Sequence, residues 1–298
     1  MTNKFPILTL SNGVSLPGLG LGVYRSRPEN TLDAVSVALN TGYRLIDTAA
    51  AYGNEAEVGE AIRRSDVSQS EVFVTTKLWI SDYGYESALR GFQRSLQKLG
   101  LEFLDLFLLH QPMPNEWDRT VESWRAVSKL LEDGRIRSIG VSNFSADQLS
   151  DLIERTGVVP HVNQVEVHPF FTQTGLRAAH ARLGVVTQAW SPIGGVMRYT
   201  RDNPESAESP LSHPVVTGLA EKHDRSPAQI MLRWHLQNGV CAIPKSVHEA
   251  RIRENFDVFG FSLSSAEMSS IDALDTGNRS GPNPANIDTL SYPYRIED

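Results

Sequence analysis

Short apolar runs alternate with longer amphipathic ones along nearly the whole chain. After "ILTLSNGVSLP", whose Asn12-Gly13 pair suits a tight hairpin turn, apolar runs stand at 19–24 (LGLGVY), 43–48 (YRLIDT), 71–77 (EVFVTTK) and 103–110 (FLDLFLLH). Four more follow at 136–142 (IRSIGVS), 161–167 (HVNQVEV), 185–190 (VVTQAW) and 240–244 (VCAIP), so the pattern predicts eight strands. Between them lie helical patterns: PENTLDAVSVALNT, NEAEVGEAIRRS, YESALRGFQRSLQKLG, TVESWRAVSKLLEDG, SADQLSDLIERTG, TQTGLRAAHARLG, a stretch near 212–223, and EARIRENFDVF. Several end in Gly, as helix C-caps often do, and a last helix is expected near 264–274.

Strand followed by helix, repeated at roughly 30 residues per unit, calls for right-handed parallel crossovers. A closed (β/α)8 TIM barrel accommodates eight strands and leaves no edge. An open doubly wound sheet is the alternative, but no Gly-x-Gly-x-x-Gly follows the first strand to open a helix; the glycines of GLGLGVY are wrongly spaced. The expected architecture is therefore α/β: a (β/α)8 barrel with an N-terminal β-hairpin, an extra C-terminal helix and long active-site loops, in one domain spanning 1–298. Two segments fall outside the repeat. "SPIGGVMRYTRDNPESAESPLSHP" (191–214) is a long polar loop of the kind that is usually functional. "DTGNRSGPNPANIDTLSYPYRIED" (275–298) reads as irregular chain with aromatic anchors, closing on a substrate or packing on the barrel.

Composition narrows the function classes. With 40% hydrophobic and 21% charged residues the chain reads as soluble and globular. Its apolar runs fall far short of the roughly 20 residues of a membrane span, and the N-terminus has no signal-peptide core. No membrane association is expected, and the cytoplasm is the simplest location. The single cysteine, Cys241, excludes an intrachain disulfide and a multi-cysteine zinc site, and its apolar setting reads as core. A net charge of −7 with no basic block argues against nucleic acid as a partner.

In such a barrel the active site is built at the C-terminal ends of the strands. Those ends carry Asp47, Lys77, His110, Ser142 with Asn143, Gln164 with Glu166, Trp190 with Ser191, and Lys245 with Ser246. Taken singly each has a bland reading: Asp47 as a loop cap, Lys77 as a snorkelling surface chain, His110 as a satisfied loop histidine. Together they place titratable groups on one apolar rim, an arrangement that marks functional sites. Asp47 and Lys77 stand on neighbouring strands and can pair, and Tyr52, five residues beyond Asp47, can donate its hydroxyl into the same space. An adjacent ammonium is expected to lower the phenol's pKa, so that Tyr52 protonates a forming alkoxide while His110 orients the carbonyl. That chemistry is carbonyl reduction, and it needs a hydride. A carboxylate-based glycosidase on the same fold needs paired acids, whereas Asp47 stands beside a lysine and Glu166 has no evident partner. A metal role for His110 and His168 lacks any carboxylate or cysteine cluster between them.

RLIDTAAAYGNE, VFVTTKLW, DLFLLHQP, SIGVSNFS, VNQVEVHP and IPKSVHEARIRENFDVF, in this order, resemble the aldo-keto reductases from about residue 7 to 275. The likeness is nearest to the bacterial branch that includes the 2,5-diketo-D-gluconate reductases, partly because Trp190 stands where many relatives carry tyrosine. The resemblance implies a catalytic tetrad of Asp47, Tyr52, Lys77 and His110, with Tyr52 as general acid and Lys77, held by Asp47, lowering its pKa. It implies NADPH as cofactor, lying against Gly22, Val23, Tyr24 and Asp47. Ser142, Asn143 and Gln164 would hold the carboxamide, Trp190 would stack on the ring, and Ser191, Ile193 and Leu211 would contact the pyrophosphate. Lys245, Ser246 and Arg251 match the family's 2′-phosphate pocket, Glu254 and Asn255 its adenine contacts, and Val247 is a further implied cofactor contact. His248 replaces an arginine found in near relatives, which weakens the inferred preference for NADPH over NADH. Tyr24, Tyr52, Trp79, His110 and Gln111 align with the substrate pocket. Gln111, in place of a common tryptophan, points to hydroxylated or dicarbonyl substrates. The resemblance favours a monomer acting on small carbonyl compounds. A cofactor-binding regulatory protein without catalysis is the competing class, and the intact tetrad argues against it.

Overall fold

The computed structural model describes residues 6–194 and 209–296. β1 (Ile7–Thr9) and β2 (Ser15–Pro17) pair antiparallel as the expected hairpin, and Gly13 takes the left-handed conformation, φ +84°, that its turn requires. Leu10 and Leu16 of this hairpin pack with Leu45, Phe73, Leu106, Leu108 and Val162, plugging the end of the barrel at which the strands begin.

Eight parallel strands follow in sequential order: β3 (Leu21–Gly22), β4 (Leu45–Asp47), β5 (Phe73–Leu78), β6 (Leu104–Leu109), β7 (Ile136–Ser142), β8 (Val162–Glu166), β9 (Val186–Trp190) and β10 (Cys241–Ala242). Parallel bridges Leu19↔Ala242 and Gly22↔Lys245 join first to last. The N–H groups of Gly20 and Gly22 donate to the carbonyls of Ala242 and Pro244, so the TIM barrel closes. The first strand is shorter than the 19–24 run that predicts it. Lys77 lies inside β5 and not at its tip.

The helical ring comprises α1 (Pro28–Thr41), α2 (Glu55–Arg64), α3 (Tyr85–Leu99), α4 (Trp117–Glu132), α5 (Ala146–Thr156), α6 (Thr174–Leu183), α7 (Pro214–His223), α8 (Pro227–Gln237) and α9 (Glu249–Phe256), with α10 (Ser265–Asp272) as the extra C-terminal helix. α8 is absent from the pattern reading. Ile230, Met231, Leu232, Trp234 and His235 are all buried, so the helix is apolar around most of its circumference and the 3.6-residue period is blurred. Its start is nevertheless signed by Pro227 and by the capping box of Ser226 and Gln229. Residues 195–208, the middle of the expected 191–214 loop, lie outside the described residues. Among the described residues no helix is long and apolar enough to cross a membrane.

Candidate active site

β4 ends in Asp47 because the barrel wall requires Leu45 and Ile46 to be apolar and then opens. Side chains alternate along a strand, so Asp47 on β4, Lys77 on β5 and Gln164 on β8 point into the same interior layer. Lys77 Nζ donates to Asp47 Oδ1 at 2.6 Å and to the carbonyl of Thr48 at 2.8 Å. Gln164 Nε2 donates to Asp47 Oδ2 at 2.7 Å and to Gln188 Oε1 at 2.7 Å. Burial pushes Asp47 up and Lys77 down, and each pulls the other back. The short contact and the bonds to Gln164 and Thr48 oppose those shifts and favour the charged pair.

Tyr52 closes a 3₁₀ turn, Ala50–Tyr52, before α2. The Lys77 ammonium lies 5.0 Å from the centre of the Tyr52 ring. The phenol meets Tyr24 edge-on at 5.1 Å and His110 at 5.7 Å between ring centres. Trp79 stands 5.1 Å from His110. Sequence motifs thus bring Asp47, Tyr52, Lys77 and His110 together.

The expected lowering of the phenol's pKa is corrected here. Burial pushes Tyr52 well above its ordinary value of 10.0, and Asp47 and Tyr24 add to the rise. The ammonium's influence is offset because its charge is already compensated by Asp47 at 2.6 Å. His110 moves the other way: burial, then Lys77, takes it well below 6.5, so the imidazole is neutral at physiological pH. Its Nδ1 is buried without a partner among the described residues.

Asn143, in the left-handed conformation at φ +69°, ties the neighbouring rim together. Its Nδ2 donates to the carbonyl of His110 at 3.2 Å and to Gln111 Oε1 at 3.1 Å, and its Oδ1 accepts from Trp190 Nε1 at 2.9 Å. Ser142 Oγ donates to the carbonyl of Gln164 at 2.8 Å. Gly22 lies at the closure of the barrel, and Tyr24 is half exposed at the mouth. Val23, by contrast, is fully buried, its N–H on the Asp47 carbonyl and its own carbonyl accepting from Asn54. Ser191 has φ +48°, Ile193 and Leu211 pack half-buried on either side of residues 195–208, and Pro192 lies between Ser191 and Ile193. The Pro192 carbonyl accepts from His235 Nε2 at 2.8 Å.

Past β10, Lys245 is half-buried and loses basicity to burial. Ser246 Oγ accepts the His248 N–H at 3.1 Å, and Val247 follows half-buried. Arg251 and Glu254 are exposed on α9 and Asn255 is buried. Among the described residues no carboxylate pairs with Lys245 or Arg251, and Glu254 accepts from Ser226 at 2.5 Å. A half-desolvated ammonium without a carboxylate partner among the described residues, next in sequence to a hydroxyl and followed by an exposed arginine on α9, fits a phosphate dianion.

Asn54 and the partners of Glu166 are rim features that the sequence does not show. Asn54, fully buried, donates to the carbonyls of Val23 (3.0 Å) and Ser26 (3.3 Å) and accepts from Thr48 Oγ1 (2.8 Å), binding the loop that carries Tyr24 to the loop that carries Tyr52. Glu166, for which no partner is evident in the sequence, has several, all on the carboxyl-terminal tail or at His168. Its place two residues beyond Gln164, on the same strand face, is the signal that marks it as an interior residue. The aromatic tail reaches the mouth as well, where Trp79 Nε1 donates to the Tyr294 carbonyl at 3.1 Å.

Fold and rim together define a barrel oxidoreductase site, with a phenol and a neutral imidazole above a buried lysine–aspartate pair. The chain belongs to the Aldo/keto reductase family, which it matches over residues 16–276. It is 54% identical over 293 residues to morphine 6-dehydrogenase of Pseudomonas putida, covering 98% of this chain and 99% of that one. It is 45% identical over 276 residues to glyoxal reductase of Bacillus subtilis, covering 92% and 95%. Among solved structures, a variant of Gox0644 in complex with NADPH superposes with a TM-score of 0.87 at 40% identity, covering 96% of this chain and 99% of that one.

Proposed function

We propose that the chain is an NADPH-dependent reductase of aldehydes and ketones in which Tyr52 is the general acid. The observation that carries this reading is the convergence of Tyr52, His110 and the 2.6 Å Lys77–Asp47 pair at the barrel mouth. A nicotinamide cofactor, when bound, supplies the hydride. Trp190, Ser142, Asn143 and Gln164 are the residues that would hold its reactive end, and Lys245, Ser246 and Arg251 those that would hold a 2′-phosphate. Tyr52, kept protonated by its raised pKa, gives its proton to the developing alkoxide. Neutral His110 donates a hydrogen bond to the same oxygen, and Trp79 and Tyr24 exclude water.

Lys245→Ala should weaken NADPH binding by about 10-fold or more and leave NADH binding nearly unchanged, because a charge-assisted bond to phosphate contributes on the order of 2 kcal/mol. Titration by quenching of tryptophan fluorescence measures both. Equal losses for the two dinucleotides would overturn the 2′-phosphate assignment.

The pH dependence has a definite sign. Reduction uses the protonated phenol, which persists up to a pKa above 10.0, and neutral His110 does not titrate near 6.5. The rate of reduction is therefore flat from about pH 6 to about pH 9, and alcohol oxidation, which uses the phenolate, rises with pH throughout that range. Profiles of kcat in both directions test this, and a step in reduction near pH 6.5 would contradict it.

Gln111, half-buried and hydrogen bonded to Asn143, makes one wall of the pocket polar, which favours dicarbonyl or hydroxylated substrates. The naming of one relative as a glyoxal reductase agrees with this, and that of another as morphine 6-dehydrogenase makes a bulky secondary alcohol the first test for the oxidative direction. Following NADPH absorbance across glyoxals, keto-sugars, simple aldehydes and polycyclic ketones decides among them. No turnover of any carbonyl would refute the reading.

A further inference from the structure

The carboxyl-terminal tail is held to the barrel at one buried carboxylate. Glu166, the last residue of β8, is fully buried and faces the interior one layer further out than Gln164. Its Oε1 accepts the Ser280 N–H at 2.6 Å, the Ser280 hydroxyl at 2.5 Å and the Gly281 N–H at 3.1 Å. Its Oε2 accepts from Gly281 at 3.1 Å and from Arg279 at 3.3 Å. His168 Nε2 stands 3.1 Å from Oε1 on the other side. A carboxylate can accept about four hydrogen bonds, so this one is saturated.

What the fastening positions is the wall of the site. Glu166 and Trp190 are register partners on β8 and β9. Gly281 lies so close to the indole that a Cβ on it would fall 2.4 Å from Trp190 Cη2 and 3.1 Å from Glu166 Oε2. From there the tail crosses the mouth. Asp288 accepts from Asn115 at 3.1 Å and Thr289 donates to Glu116 at 2.6 Å. The Tyr292 ring lies 6.4 Å from that of Trp79. The crossing therefore hangs between Glu166 at one end and Trp79 at the other, and Trp79 adjoins His110.

From this geometry we infer that Glu166 is a positioning residue: by binding Arg279, Ser280 and Gly281 it sets the Trp190 wall and holds the tail over the pocket. It touches no reacting atom. Its effect falls on how well the substrate is enclosed, and much less on the proton transfer at Tyr52. The inference rests on the reductase reading for its kinetic consequence but not for its structural one.

Glu166→Gln keeps the shape and removes the charge that Arg279 and the N–H groups address. The variant should raise KM for carbonyl substrates by about 10-fold or more and change kcat by less than about threefold, the signature of lost uniform binding. Gly281→Ala, which crowds the indole directly, should raise KM for carbonyl substrates with Glu166 intact. Hydrogen exchange on wild type and Glu166→Gln provides an arm independent of activity, with faster exchange expected across 279–296 and unchanged exchange in β4 to β6. Unaltered exchange in the tail would overturn the fastening role. Equal falls in kcat and kcat/KM would overturn its assignment to enclosure, and exchange faster throughout the barrel would reduce Glu166 to a general stabilising residue. Wild-type protein inactive on every carbonyl would refute the reductase reading alone, with the exchange comparison still deciding the fastening.

Discussion

Tyr52→Phe should lower carbonyl reduction by about 100-fold to 10,000-fold, the range usual for loss of a positioned general acid, while NADPH affinity stays within about twofold. The substitution removes one oxygen from a ring already located by Tyr24 and His110, at 5.1 and 5.7 Å between ring centres. The loss should therefore appear in kcat with the binding steps intact. Stopped-flow measurement of the first turnover separates that step from product release. Wild-type rates in the variant would transfer the proton donation to another group, and His110→Gln would then be the next comparison.

Breaking the ion pair beneath the phenol should have the second large effect, on stability as well as rate. Lys77 and Asp47 are both buried and 2.6 Å apart. Removing one partner leaves the other charged and desolvated, at a typical cost of about 3–5 kcal/mol. Lys77→Met should accordingly unfold at lower urea than wild type. Asp47→Asn combined with Lys77→Met should regain much of that stability, because no uncompensated charge remains, yet stay catalytically impaired. Equal urea midpoints for Lys77→Met and wild type would show the pair to be energetically neutral in the fold. Recovery of activity in the double variant would remove the pair from the chemistry.

The barrel is legible in the sequence because every strand is a short apolar run and most helices keep one polar face. α8 is not, since its buried residues run consecutively from Gln229 to Leu232 and leave no periodic signal. The proposed tetrad is legible because strand ends in such a fold carry the chemistry, and Asp47, Lys77 and His110 stand at or next to those ends. The direction of Tyr52's shift is not legible. It depends on how completely Tyr24, His110 and the rim exclude water and on the ammonium being already paired, which are facts of packing. The proposed role of Glu166 is hidden for another reason: apart from His168, its side-chain partners among the described residues lie 113 to 115 residues away in a tail without periodic pattern.

Beside the Lys77–Asp47 pair, Gln188 accepts from Gln164 and in turn donates to Cys241 Sγ at 3.3 Å. Burial pushes that thiol up to about 12, and it is the chain's single cysteine. Only a thiolate reacts readily with electrophiles, so burial and the raised pKa together should leave Cys241 slow towards maleimide, which a mass measurement of the treated native protein checks. A thiol introduced at the tail by Leu290→Cys, where the native side chain is 89% exposed, would be the sole point of attachment for a fluorophore or spin label. The buried thiol thus leaves a clean background on which a label at Leu290→Cys reports the position of the tail.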